Sequence, residues 1–326
     1  MHRPLLEVEG LSVKYRSPRA AERAVVDDVT FEVRAGQTVG LVGESGAGKS
    51  TIGRALLGLA PITAGRVVYA GEDITRATSA RRRQLSSEIQ VVFQDPYGSL
   101  NPARTIGQTL GENLAVHGHD RASSGQRVKE MLARVGLPES AAERYPRDFS
   151  GGQRQRIAIA RALMASPRFV ICDEPVSALD LSVQAHVLNL LLSLQAELGL
   201  SYLFIAHDLP VVRLVSDWLI VLYGGRVMEE GPPDQLYEAP AHPYTRQLIE
   251  AIPATHPRNK RLRTGLSRGP SGAPEGTGCP FADRCSYATA VCREVTPPLE
   301  ARPGGGSIAC HHWSTLGRFT RRTEVA

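Results

Sequence analysis

Eight residues, Gly43-Glu44-Ser45-Gly46-Ala47-Gly48-Lys49-Ser50, follow the spacing G-x-x-x-x-G-K-S/T, with Thr51 next. These residue types suit a phosphate group. Glycines let backbone N–H groups turn inward around phosphate oxygens, and a helix that follows offers the positive end of its dipole. Lys49 is placed to reach the β- and γ-phosphates of a nucleotide, and the Ser50 hydroxyl to bind Mg²⁺. Further along, Phe169-Val170-Ile171-Cys172 ends in Asp173-Glu174. An apolar strand there would carry Asp173 to the metal side of a pocket and leave Glu174 where it polarises an attacking water. Without the glycine loop upstream, the same run reads equally well as an ordinary strand end.

A third group is made of thiols. Cys279, Cys285, Cys292 and Cys310 are spaced C-x5-C-x6-C-x17-C near the end of the chain. Disulfides are disfavoured in a reducing compartment, where clustered cysteines more often bind metal. The spacing is loose for zinc, whose pairs usually sit closer. Four thiolates also suit an iron–sulfur cluster, and metal-free structural thiols are a third reading. Cys172, inside an apolar run, reads as a small buried residue.

These groups need elements to position them. Residues 5–15 and 29–34 alternate apolar and polar, as half-buried strands do. Val39-Gly40-Leu41-Val42 predicts a buried strand entering the glycine loop, and Thr51 to Leu59 a helix leaving it. Phe169–Cys172 and Tyr202–Ile205 predict two further buried strands. Helical stretches between these runs imply crossovers and a largely parallel sheet. Between about 96 and 148 the pattern turns helical and polar, with candidate helices at Thr105–His117 and Ser124–Gly136. Beyond about 254 the composition shifts to Pro, Gly and Arg, as in a linker, before the cysteine-bearing tail.

The 326 residues are 42% hydrophobic and 22% charged, a balance that can bury a substantial core. No run reaches the roughly 18 apolar residues of a membrane-spanning helix. Met1-His2-Arg3-Pro4-Leu5 lacks signal-peptide character, so an intracellular chain with only peripheral membrane contact is expected. The net charge of +5 gathers partly in Arg258–Arg268 and Arg318–Arg322. Such clusters suit solvent or anionic lipid heads, and no nucleic-acid motif accompanies them.

Ser150-Gly151-Gly152-Gln153-Arg154-Gln155-Arg156 precedes Asp173 by fewer than 25 residues. This stretch resembles the signature of ABC transporter nucleotide-binding domains, typically Leu-Ser-Gly-Gly-Gln, with Phe149 departing at the leading position. A plain helix cap by Ser150 is compatible with it. The resemblance implies that Ser150, Gly151, Gly152 and Gln153 reach ATP held by an opposing subunit. It further implies that Tyr15 stacks on adenine, that Gln94 senses the γ-phosphate and helps hold Mg²⁺ with Ser50 and Asp173, and that Ser177-Ala178-Leu179-Asp180 crosses to the partner ATPase. Glu174, His207, Lys49 and Gln94 become the catalytic group, with His207 on the γ-phosphate. The implied fold is an α/β P-loop NTPase (RecA-like) core with an antiparallel β subdomain, a helical insert and a cysteine-bearing extension.

A closer resemblance is to oligopeptide and dipeptide importer ATPases. It rests on Val91 to Pro102, on Ala239-Pro240-Ala241-His242-Pro243-Tyr244-Thr245, and on Gly278-Cys279-Pro280-Phe281-Ala282-Asp283-Arg284-Cys285. It implies a nucleotide-binding domain over 1–253 and an extension over 254–326, with ATP, Mg²⁺ and a 4Fe–4S cluster on the four tail cysteines. Implied partners are two membrane permeases, a second ATPase (a paralogue, or a second copy) and, indirectly, an extracytoplasmic binding protein, at the cytoplasmic face of the membrane. The subgroup also includes importers of nickel and other small solutes. Rival readings are a soluble ABC ATPase of DNA repair or translation, and a module that binds ATP without hydrolysing it; Glu174 and His207 argue against the second.

Overall fold

The structure is a computed structural model that describes residues 3–17, 20–95, 98–116, 121–252 and 277–316. The expected boundary at 253/254, both arginine-rich stretches, Pro96, Tyr97 and His117 lie outside the described residues. The chain forms two compact units that interleave in sequence. One comprises Met1–Leu5, Val33–Thr38 and Arg76–Ile205, the other Leu6–Glu32, Val39–Thr75 and Ala206–Ala326. Elements are numbered in chain order.

The second unit begins with an antiparallel sheet. Strands β1 (Leu6–Ser17), β2 (Ala20–Val33), β4 (Ala64–Tyr69) and β5 (Glu72–Asp73) lie in the order β2-β1-β4-β5. Leu6 and Val8 are buried while Glu9 faces solvent, the alternation of a strand covered on one face. A register shift between Glu9 and Ser12 interrupts the pairing of β1 with β4. In the same unit β3 (Thr38–Val42) runs parallel to β9 (Trp218–Tyr223), with Val39 opposite Trp218. All five residues of β3 are buried, which explains its unbroken apolar sequence. Strand β10 (Arg226–Gly231) pairs antiparallel with β9, β12 (Ser307–Ile308) with β10, and β11 (Glu300–Ala301) with β12. The tail thus adds strands to the sheet that carries the glycine loop. Helices α1 (Lys49–Leu56), α7 (Leu209–Val215), α8 (Pro233–Glu238), α9 (Pro243–Glu250) and α10 (Ala290–Glu294) complete this unit.

The first unit holds three parallel strands, β6 (Ile89–Val92), β7 (Phe169–Asp173) and β8 (Ser201–Ala206), with β7 between the others. Parallel neighbours need long crossovers. Helices α3 (Ile106–Val116), α4 (Arg121–Arg134) and α5 (Gly151–Leu163) lie between β6 and β7, and α6 (Leu181–Leu198) between β7 and β8, with α2 (Ser79–Leu85) preceding β6. Helix α4 begins three residues before the predicted Ser124. Its end is set by Gly136, whose φ of 70° is left-handed. Among the described residues no helix is long and apolar enough to cross a membrane.

Candidate nucleotide site

In the second unit, β3 delivers the chain into residues 43–48, and α1 starts at Lys49. Gly48 is the N-cap of α1, with φ 100° and no side-chain cap. A Cβ at that position would sit 2.6 Å from the Val25 carbonyl oxygen, so glycine is required both by φ and by space. Gly225 N–H donates to the Ala47 carbonyl at 3.1 Å and Asp27 N–H to the Gly225 carbonyl at 2.9 Å, which braces the loop from behind. Lys49 is buried, and its ammonium donates to the carbonyls of Gly43 (2.8 Å) and Glu44 (3.0 Å). A buried cation, inward-turning glycines and a helix start without a side-chain cap make this loop suited to a polyphosphate. The same unit carries Tyr15 on β1, 42% exposed, and His207, exposed just past β8. Tyr15 is therefore no core residue.

One feature of this loop escaped the sequence reading. The Glu44 carboxylate accepts two bonds from Arg284, and Glu44 N–H donates to Tyr244 Oη at 2.9 Å. Tyr244 and Arg284 both stand in stretches that mark the importer subgroup, yet nothing in their spacing ties them to residue 44.

The first unit carries the carboxylates. Phe169 to Cys172 are buried and Asp173 is half-buried at the end of β7. Burial raises the Cys172 thiol far above its usual range, in keeping with an inert packing residue. Glu174 has φ 50°, a left-handed conformation that costs a non-glycine residue about 1 kcal/mol or more. The turn is held by Glu174 N–H donating to the Ile205 carbonyl (2.9 Å) and by Ser177 N–H and Oγ donating to the Glu174 carbonyl (3.3 and 3.1 Å). Gln94 is exposed in a bend after β6.

Ser150 is the N-cap of α5: its Oγ accepts from Gln153 N–H at 3.4 Å, and Gln153 Oε1 accepts from Ser150 N–H at 3.0 Å. This reciprocal capping box shows why a serine and a glutamine stand three apart here. Gly152 admits α6, since a Cβ there would lie 2.3 Å from Val183 Cγ1. Asp180 in turn caps α6, accepting from Val183 N–H (3.0 Å) and Ser182 Oγ (2.8 Å), bonds that hold its carboxyl below the ordinary range. Beside it Leu181 is 83% exposed, a large apolar side chain that the sequence reading passed over.

The family described as ABC transporter matches residues 26–177, and the oligopeptide/dipeptide transporter C-terminal region matches 228–292. A protein of Brucella ovis, named for peptide import and ATP binding, is 47% identical over 305 residues, covering 92% of this chain and 96% of its own. The chain belongs to the ABC transporter family of ATP-binding subunits. A similarly named protein of Brucella abortus is 48% identical over 294 residues, covering 88% of this ABC chain and 86% of its own. Among solved structures, cbiO1 from Clostridium perfringens, part of the ABC transporter complex cbiONQ, aligns with TM-score 0.65 at 26% identity, over 72% of this chain and 91% of that one. An ATP-binding cassette in a post-hydrolysis state with ADP and Pi aligns with TM-score 0.63 at 26% identity, over 70% and 98%.

In this ABC chain the four tail cysteines line one cavity of about 20 Å³, together with His242, Phe281 and His311. That is room for about one water. Burial pushes the Cys279 thiol up to about 12 and Cys310 to about 11, against backbone hydrogen bonds at Phe281 and His312 and with a smaller upward push from neighbouring thiols, so both are protonated at neutral pH. Among the described residues no group of three or more His, Cys, Asp or Glu side chains is arranged to hold a metal ion.

Proposed function

We propose that this ABC ATPase energises import of oligopeptides or dipeptides as one subunit of a multi-subunit transporter. The observation that carries the ATP reading is the braced glycine loop with the buried Lys49 ammonium inside it. The peptide reading is supported by the C-terminal-region match and by the names of the Brucella relatives. Membrane permeases follow from that class of transporter. The subunit is a peripheral one at the cytoplasmic face, paired with a second ATPase, either a paralogue or another copy. Exposed Leu181 beside Asp180 supports such pairing.

In this reading Lys49 and the backbone amides of 46–51 neutralise the phosphates, and Tyr15 packs on the base. Ser50, Gln94 and Asp173 would hold Mg²⁺, which supplies charge stabilisation. Glu174, fixed by its strained turn, orients or deprotonates water, and His207 holds the γ-phosphate. Ser150, Gly151, Gly152 and Gln153 face the ATP of the opposing subunit, with 177–180 crossing beside them. Steady-state ATPase assays decide the roles. Glu174→Gln is expected to lower turnover at least about 100-fold while ATP binding persists; wild-type rates in that variant remove Glu174 from the mechanism.

The tail cysteines are proposed to hold a 4Fe–4S cluster. The four cysteines line one cavity and would be the ligands. Such a cluster would need Cys279 and Cys310 as thiolates, and burial opposes that. Anaerobically purified protein is expected to contain iron and acid-labile sulfide; their absence leaves the thiols structural.

A further inference from the structure

We propose that Arg284 is a positioning residue for the phosphate loop, through which the C-terminal module of residues 277–316 sets how tightly the chain holds nucleotide. The proposal rests on the reading of 43–50 as the nucleotide loop. Glu44, the second residue of that loop, is gripped on three sides. Arg284 Nη1 donates to Glu44 Oε2 at 2.7 Å and Nη2 to Oε1 at 2.9 Å, the two-pronged arrangement that fixes direction as well as distance. Glu44 N–H donates to Tyr244 Oη at 2.9 Å, and the Glu44 carbonyl accepts from Lys49 Nζ at 3.0 Å. One of the two residues whose carbonyls hold the Lys49 ammonium is thus itself held by Arg284.

Arg284 has little freedom to follow a moving loop. Its side chain is 10% exposed, and its guanidinium carbon lies 5.5 Å from the Tyr223 ring centre and 5.7 Å from that of Phe281. Nη1 also donates to Tyr223 Oη at 3.3 Å. Tyr223, Tyr244 and Phe281 meet with ring centres 4.7, 5.3 and 5.4 Å apart, so Tyr244 belongs to the aromatic cluster against which Arg284 packs. The module behind Arg284 is anchored in turn. Strand β12 pairs with β10, Ala309 N–H donates to the Met228 carbonyl at 2.9 Å, and Arg302 pairs with the buried Glu229 carboxylate. Glu229 also accepts from the N–H groups of Ala241 (2.9 Å) and His242 (3.1 Å), joining the module to the segment that leads to Tyr244.

The test uses the full chain with Arg284→Gln, Glu44→Gln and the double variant. Dissociation constants for ATP and ADP are measured by calorimetry, and amide exchange of 43–48 is measured without nucleotide. Loss of a charge-assisted pair is expected to raise the ATP dissociation constant about 10-fold in each single variant. The double variant is expected to be no worse than the weaker single, as for two ends of one interaction. In Arg284→Gln, KM for ATP rises with kcat little changed, and Arg284→Lys recovers part of the loss. Amides of 43–48 exchange faster in nucleotide-free Arg284→Gln, while those of β9 keep wild-type rates. A folded Arg284→Gln with wild-type affinity and wild-type loop exchange overturns the proposal, as does strict additivity in the double variant. If Arg284→Gln does not fold, Glu44→Gln, which leaves the arginine packed between its rings, gives the same comparison. If the wild-type chain binds no nucleotide but its loop exchange still responds to Arg284→Gln, the nucleotide reading fails and the strut stands.

Discussion

The loop at 43–48 and the turn at Ser150 both carry glycines and both open a helix, yet their helix ends are satisfied differently. The first has Gly48 at the N-cap, a residue with no side chain to bond back to α1. The second closes on itself, Ser150 and Gln153 each accepting the other's N–H. A helix start leaves several N–H groups without helical partners, and those groups are what an anion meets. The first loop therefore suits phosphate as it stands. The second has used the Ser150 and Gln153 N–H groups internally; what it retains is the first-turn N–H groups of Gly151 and Gly152 and the Ser150 hydroxyl proton, which an acceptor-only phosphate can take. The contrast fits a loop that holds nucleotide by itself and a signature that adds a contact only once the nucleotide is in place.

Substitutions can break this contrast. The largest effect is expected for Gly48→Ala, whose Cβ meets the Val25 carbonyl at 2.6 Å in a left-handed conformation. Nucleotide binding to the single chain should fall at least about 100-fold, since the loop must shift to relieve the clash. Calorimetric titration checks this; retained affinity would mean that the loop geometry is not what binds. Ser150→Ala should act differently. It removes a cap worth roughly 1 kcal/mol of stability, read as a lower urea midpoint. Single-chain nucleotide affinity should persist while turnover of the assembled pair drops. Equal loss of affinity in the two variants would erase the distinction between the loops.

A further effect appears only in acid. His242 caps α9 with Nδ1 accepting from Tyr244 N–H at 3.0 Å, and burial lowers its pKa from 6.5 to about 3. Above pH 6.5 the imidazole is neutral in both states and contributes no pH dependence. Below it the unfolded chain binds a proton that the folded chain refuses, so stability falls progressively from pH 6.5 towards about 3. His242→Asn, which keeps a capping oxygen, should flatten that decline by up to about 1.4 kcal/mol per pH unit. Because Tyr244 supports Glu44, acid should loosen the phosphate loop before it affects the Ser150 cap. Thermal unfolding at several pH values provides the check; an unchanged slope in the variant would mean that His242 is not the responsible group.

Much of this was legible in the sequence because it is local. Val39–Val42, Phe169–Cys172 and Tyr202–Ile205 are apolar runs bounded by polar residues, and each is a buried strand. The spacing from Gly43 to Ser50 specifies the turn into α1 by residue type, and Ser150 with Gln153 is a cap readable at three residues' separation. What escaped notice is long-range. No local pattern joins Glu44 to Arg284, 240 positions apart, or Glu229 to Arg302, 73 apart. Nor does composition show that a Pro-, Gly- and cysteine-rich tail completes a sheet through β11 and β12 of two residues each. Tyr15 was singled out only through the family resemblance: the alternating pattern of β1 does not show that Lys14 and Tyr15 are both exposed past the register shift between Glu9 and Ser12.

The central claim is that nucleotide joins two subunits, bound by 43–50 of one and faced by Ser150 to Gly152 of the other. Its most direct test is the mass in solution of the Glu174→Gln variant with magnesium ATP, alone and mixed with the second ATPase of its transporter. The account expects a stable pair that dissociates when ATP is withdrawn and fails to form when Ser150 is replaced by arginine. A chain that binds ATP yet remains a 35.3 kDa monomer in both mixtures would contradict it.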